Sequence, residues 1–164
     1  MSAALADGFA AAWSGRDPAA FLTLCASDVH YEDPLCAAPL HGPMGIAGHA
    51  RMLWDGFPDA RMETAGEALA GGGGGGGRNL ALPMRVSGTQ TEPFAGLPAS
   101  GRFLSVHGVF YCELDSSGER LWRVRGFFDA YRAGVELGVL PERGSVRERA
   151  LLMLQGYGLR LGGG

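Results

Sequence analysis

The chain has 164 residues, 46% of them hydrophobic and 19% charged, and a formal net charge of −3. That length and composition fit one globular domain with a sizeable core, and the charge gives no basis for binding nucleic acid or an anionic membrane surface. All 14 basic residues are arginine, which excludes Schiff-base catalysis, pyridoxal phosphate attachment and a Walker-type phosphate loop, because each needs a lysine.

Ser2–Trp13 is predicted as a helix, with Leu5, Phe9 and Trp13 on one apolar stripe. Asp17-Pro18 starts a second helix that turns Phe21, Leu22, Leu24 and Cys25 inward. Asp28–Asp33 is a short strand with Val29, Tyr31 and Asp33 on one side, and Pro34–Pro43 is a loop. Gly45–Gly56 is a third helix; His49 lies within its stripe of Ile46, Ala50, Leu53 and Phe57. Arg61–Leu69 is a strand. The seven glycines Gly71–Gly77 form a flexible hairpin loop, since no Lys-Ser/Thr follows to make a phosphate cradle.

Asn79–Thr91 is the next strand, placed at an edge or given a bulge by Pro83. The stretch Arg102–Phe128 reads as a hairpin that organises the rest. Leu104, Val106, Gly108, Phe110, Cys112 and Leu114 share one face of its first strand; Trp122, Val124, Gly126 and Phe128 share one face of its second. Asp115–Gly118 supplies the turn. Asp129 caps a helix closed by Gly138, and Ser145 with Glu148 opens a last helix carrying Val146, Ala150, Met153 and Tyr157. The expected fold is α+β: a cone-shaped curved antiparallel sheet wrapped around N-terminal helices, with an added C-terminal helix. Such a cone encloses an apolar cavity of the kind that takes small molecules.

Three cysteines, Cys25, Cys36 and Cys112, occur without CxxC spacing, which argues against a disulfide framework or a zinc site. Reduced thiols, no signal-peptide pattern and no apolar run of about 18 residues give a cytoplasmic protein with no membrane span as the expectation.

Several short stretches converge on one family. They are Trp13-Ser-Gly-Arg-Asp17, Asp28-Val-His-Tyr-Glu-Asp33-Pro34, Gly42-Pro43-Met-Gly45-Ile46, Phe57-Pro58-Asp59, Gly88-Thr89-Gln90-Thr91, Gly96-Leu97-Pro98 and Phe128-Asp129. In order and spacing the chain resembles the SnoaL-like polyketide cyclases and ester cyclases of the nuclear-transport-factor-2-like superfamily. The resemblance places the domain at residues 1–140, with 141–164 as a helical extension and tail. It implies an α+β barrel, often dimeric, that closes a ring on a polyketide ester by an intramolecular aldol reaction and needs no metal or organic cofactor. It also exposes departures. The catalytic Asp of the cyclases falls at Gly126, their strand Gln and His fall at Gly108 and Phe110, and a motif His becomes Gln90.

Chemistry is then left to other residues. His49 is the leading candidate as base or donor; the alternative is a core-edge histidine bonded to a backbone carbonyl. Gln90 would polarise a carbonyl, or cap backbone groups. Asp129 would act as a pocket acid, or only as a helix cap. Trp13, Tyr31, Asp33, Phe57, Phe110, Trp122 and Phe128 are expected around the ligand. Asp33 alternatively sets a turn, and the aromatic rings alternatively pack as core. Cys36 has no neighbouring cation in sequence to activate its thiolate. His107, Tyr111, Arg123 and Arg125 lie on the other sheet face, with a composition suited to a homodimer contact. The expected activity is binding of a small hydrophobic molecule, polyketide- or aromatic-like, with cofactor-free cyclisation, isomerisation or hydrolysis. The alternative is a non-catalytic binding or structural dimeric module.

Overall fold

The alternating strands of the C-terminal half pair antiparallel, and the N-terminal helices pack on the face they leave apolar. The computed structural model describes residues 2–72 and 78–155. Its elements are α1 (Ser2–Ser14), α2 (Ala20–Leu24), β1 (Cys25–Glu32), β2 (Leu40–His41), α3 (Gly42–Gly56), β3 (Arg61–Thr64), β4 (Leu69–Gly72), β5 (Arg78–Thr89), β6 (Phe103–Leu114), β7 (Leu121–Phe128), α4 (Ala130–Glu136) and α5 (Val146–Leu154). The sheet runs β2-β1-β7-β6-β5-β3, with β4 also on β5. β5, β6 and β7 pair antiparallel as expected, whereas β1 joins β7 in parallel. Among the described residues no helix is long and apolar enough to cross a membrane.

The inner sheet face and the helices share one core. Leu82, Met84, Cys112, Leu121 and Val124 pack with Phe9 and Trp13 of α1 and with Ile46, Ala47 and Ala50 of α3. Each large side chain buried this way contributes about 1.5–3 kcal/mol. A second cluster, Phe57, Ala60, Leu104, Val106 and Leu137, lies near the N-terminal end of β6. Between helices and sheet, polar ties set the spacing. Ser14 Oγ donates to Met62 O at 2.9 Å and accepts from Met62 N–H at 2.8 Å. Trp54 Nε1 donates to Trp13 O at 2.6 Å.

Four sequence expectations are corrected. The strand expected over Arg61–Leu69 is split in two. β3 pairs as far as Thr64 with Met84 and β4 resumes at Leu69 with Ala81, on either side of Pro83, whose nitrogen has no hydrogen to donate. The second helix is only the five residues of α2, because Cys25 already enters β1, and Leu22 is 50% exposed rather than inward. Between β6 and β7 the register shifts at Glu113–Leu114, so Leu114 opposes Leu121 while Glu113 opposes Arg123 and β7 carries one extra residue. The extra residue turns Leu121 fully inward and leaves Trp122 outside, where its Nε1 donates to Asp28 Oδ2 at 3.2 Å. Finally, Gly71 and Gly72 belong to β4; the rest of the expected glycine loop, and the Tyr157 end of the last stripe, lie outside the described residues.

Candidate active site

A cavity of about 300 Å³ opens between α1, α3 and the inner sheet face, roofed by α4 and the segment 94–97. Its walls are apolar side chains and glycines except at one place. There Tyr31, Asp33 and His49 stand together, the titratable groups among the described lining residues. The strand period puts Tyr31 and Asp33, two residues apart, on the same face. The helical stripe of α3 turns His49 towards them across the cone.

The geometry is tight. Asp33 Oδ2 accepts the Tyr31 hydroxyl at 2.8 Å and lies 2.8 Å from His49 Nε2. Asp33 Oδ1 accepts the Leu35 N–H at 2.8 Å, an Asx turn set up by Asp33-Pro34. The side chains of His49 and Asp33 are 9% and 5% exposed. Burial alone raises the Asp33 carboxyl, but the His49 contact, the Tyr31 hydroxyl and the Leu35 N–H outweigh it and hold the group below the usual carboxylate range. Burial, reinforced by the Asp33 charge, pushes the Tyr31 hydroxyl well up. Cys36 Sγ reaches His49 Nε2 at 3.8 Å, and burial pushes that thiol up to about 11. Asp33, Cys36 and His49 thus present three donor atoms within 4.8 Å of one another.

Of the residues singled out in the sequence, Trp13, Tyr31, Asp33, His49, Phe110 and Phe128 line this cavity. Trp13 packs edge-on to His49, 6.2 Å between ring centres, and its own Nε1 is buried without a hydrogen-bond partner among the described residues. Four others lie elsewhere. Gln90 is buried behind the wall, where its amide donates to Pro98 O at 3.1 Å and accepts from Ser100 Oγ at 2.7 Å. It therefore staples the loop that carries Phe94 and Leu97 into the cavity. Asp129 caps α4 by accepting the Arg132 N–H at 2.8 Å. Phe57 supports Phe94 from behind, with ring centres 5.1 Å apart. Trp122 is outside, displaced by the bulge described above. Sequence reasoning missed Cys36 as a neighbour of His49, and it missed the cavity roof of Ala133, Gly134 and Leu140. No local pattern announces either, since both depend on how distant segments meet.

Gly126 borders the site. A Cβ there would stand 2.8 Å from Phe110 Cε1 and 3.0 Å from Asp33 Cβ. A Cβ on Gly108 would meet Phe127 O at 2.7 Å. A side chain at Gly126 requires Phe110 and Asp33 to move, and one at Gly108 requires the backbone at Phe127 to move.

A comparison with curated proteins gives no match. Among solved structures, TsrD from Streptomyces laurentii superposes with a TM-score of 0.71 at 22% identity, covering 84% of this chain and 95% of its own. A protein of ketosteroid isomerase-like fold from Catenulispora acidiphila, in complex with trimethylamine, gives 0.68 at 17%, covering 85% and 96%. IdmH from Streptomyces antibioticus, a proposed polyketide cyclase, gives 0.68 at 20%, covering 85% and 99%. At these identities the likeness concerns the fold. The SnoaL-like polyketide cyclase family model, in contrast, matches the sequence itself over residues 3–134, most of the chain. The protein belongs to the SnoaL-like polyketide cyclase family.

Proposed function

We propose that the protein binds a small, neutral, largely apolar molecule of polyketide or aromatic type and moves a proton on it, as a cyclase or isomerase. The observation that carries this reading is the 2.8 Å contact of Asp33 Oδ2 with His49 Nε2 at the polar end of an otherwise apolar cavity. An apolar wall with no cation selects against anionic ligands and excludes water from the reacting centre. Asp33, held by Tyr31 and Leu35, keeps the imidazole proton on Nε2 and stabilises the imidazolium that forms. This leaves Nδ1, which makes no hydrogen bond among the described residues, as the basic nitrogen.

In the reaction, His49 takes a proton from a carbon next to a carbonyl. The electrons of the broken C–H bond form an enolate. It either attacks a second carbonyl of the same molecule, making the ring C–C bond and an alkoxide that takes the proton back from the His49 imidazolium, or takes that proton back at another carbon. The position where the family's catalytic Asp would stand is Gly126, and the volume beside it is filled by Phe110 and the Cβ of Asp33. In this reading Asp33 supplies from β1 the carboxylate that β7 lacks. Gln90 and Asp129 have no part in it. The outer sheet face, with Phe103 61%, Phe127 58% and Val109 40% exposed beside His107, Tyr111, Arg123 and Arg125, forms the homodimer contact.

The test is hydrogen exchange on a simple apolar ketone. In deuterated buffer the protein should bind 2-tetralone and accelerate deuterium uptake next to its carbonyl. Binding without acceleration would overturn the proton transfer and support the non-catalytic module; absence of both binding and acceleration would overturn the whole reading.

A further inference from the structure

We infer that Asp33, Cys36 and His49 form a binding site for one borderline-soft divalent metal ion of the zinc or cobalt type, with its remaining position open to the cavity. The donors are of three kinds, a carboxylate, a thiol and an imidazole, and their ligand atoms lie within 4.8 Å of one another. Bonds of about 2.0–2.2 Å to nitrogen and oxygen and about 2.3 Å to sulfur put neighbouring donors of one zinc ion about 3.3–3.7 Å apart. The His49–Cys36 separation of 3.8 Å lies just above this range, the His49–Asp33 separation of 2.8 Å needs the pair to part by about half an ångström, and Asp33 and Cys36, within 4.8 Å of each other, need to close by up to about 1 Å. Rotations of the Asp33, Cys36 and His49 side chains would supply these movements.

Charge and surroundings favour the same occupant. A thiolate and a carboxylate together neutralise a divalent ion, so the loaded site carries no net charge into an apolar cavity. A hard ion such as magnesium is disfavoured by the sulfur and nitrogen donors. The Tyr31 hydroxyl and the Leu35 N–H orient Asp33 from outside, as outer partners of metal-binding carboxylates do. Three protein ligands, rather than four, leave room for a carbonyl oxygen of the cavity's ligand or for a water. Along the chain the ligands follow Asp-x2-Cys-x12-His, a spacing whose meaning depends on the Pro34–Pro43 loop folding back onto α3. Binding converts the Cys36 S–H to a metal thiolate and releases its proton to solvent.

The site uses two side chains of the acid–base pair proposed above but does not depend on their acting on a substrate. A bound ion would occupy His49 Nε2, so the metal-loaded and proton-moving forms are alternatives. Chelator-treated full-length protein should bind Co²⁺ with one-to-one stoichiometry and show a thiolate-to-cobalt absorption band, which Zn²⁺ displaces. Cys36→Ser should lose the band, and both Cys36→Ser and His49→Gln should weaken binding at least about tenfold, with circular dichroism confirming their fold. Absence of the band, or a band that survives in Cys36→Ser, would overturn the site. Neither outcome bears on ketone exchange by the chelator-treated protein, so the two readings fail separately.

Discussion

Asp33 Oδ2 lies 2.8 Å from His49 Nε2, joining the end of β1 to the middle of α3 at the polar end of the cavity. The pair is built from both sides. The Asx turn at Asp33-Pro34-Leu35 fixes the carboxylate, and the Tyr31 hydroxyl two residues earlier occupies the same oxygen as His49. Asp33→Asn keeps the shape and removes the charge that orients the imidazole. Ketone exchange should fall about 10²-fold, as loss of a working acid–base group does, while the chain stays folded. Exchange rates and circular dichroism on the same sample check both parts.

Gly126 carries a stricter expectation. Introducing an aspartate there places a Cβ 2.8 Å from Phe110 Cε1 and 3.0 Å from Asp33 Cβ. Gly126→Asp should destabilise the fold by about 1–3 kcal/mol through overpacking alone. The second carboxylate beside Asp33 adds like-charge repulsion to that cost. Thermal or urea denaturation gives the value. A variant as stable as the wild type would show that the wall yields more readily than its packing suggests.

The roof of the cavity should respond to acid. Glu136 on α4 accepts the Ser105 N–H of β6 at 2.8 Å. That backbone hydrogen bond, opposed by partial burial and aided by Arg132, lowers the Glu136 carboxyl below its ordinary value of 4.5. A folded-state value depressed in this way contributes stability that is present above 4.5 and lost as pH falls through the folded value. Amide hydrogen exchange in α4 should therefore quicken as pH is lowered through that range, after correction for intrinsic exchange. Glu136→Gln should remove this pH dependence.

Two hydrogen bonds at Ser14 hold the end of α1 to β3. Ser14→Ala leaves the half-buried Met62 N–H and C=O without that partner, and unfolding free energy should fall by about 1–3 kcal/mol. Trp122→Phe, outside the cavity, should leave 2-tetralone affinity unchanged. Phe110→Ala, inside it, should cost about 3–5 kcal/mol and alter that affinity.

The sequence carried most of the fold because its signals are periodic. The faces of β6 and the end of β7, the stripe of α3 and the caps at Asp129 and Ser145 are all as their spacing indicates. Pro83 announced an irregularity, though not that two strands would share β5 around it. Trp122 was misplaced because strict alternation cannot register a bulge; one extra residue reverses every side chain on its far side. Gln90 and Phe57 are inner residues whose neighbours, Ser100 and Phe94, come from a loop without periodicity. His49, Tyr31 and Asp33 could be named from their faces. Their mutual contact, and that of Cys36, could not, because it depends on how β1 and α3 cross.

Isotope exchange reads directly whether His49, oriented by Asp33, moves a proton on an apolar ligand. Chelator-treated wild-type protein, His49→Gln and Asp33→Asn would each be incubated with 2-tetralone in deuterated buffer, and deuterium uptake followed by mass spectrometry. The wild type should catalyse uptake, His49→Gln should show uptake at the solvent rate, and both variants should retain 2-tetralone binding. Uptake by His49→Gln equal to that of the wild type would contradict this role of His49.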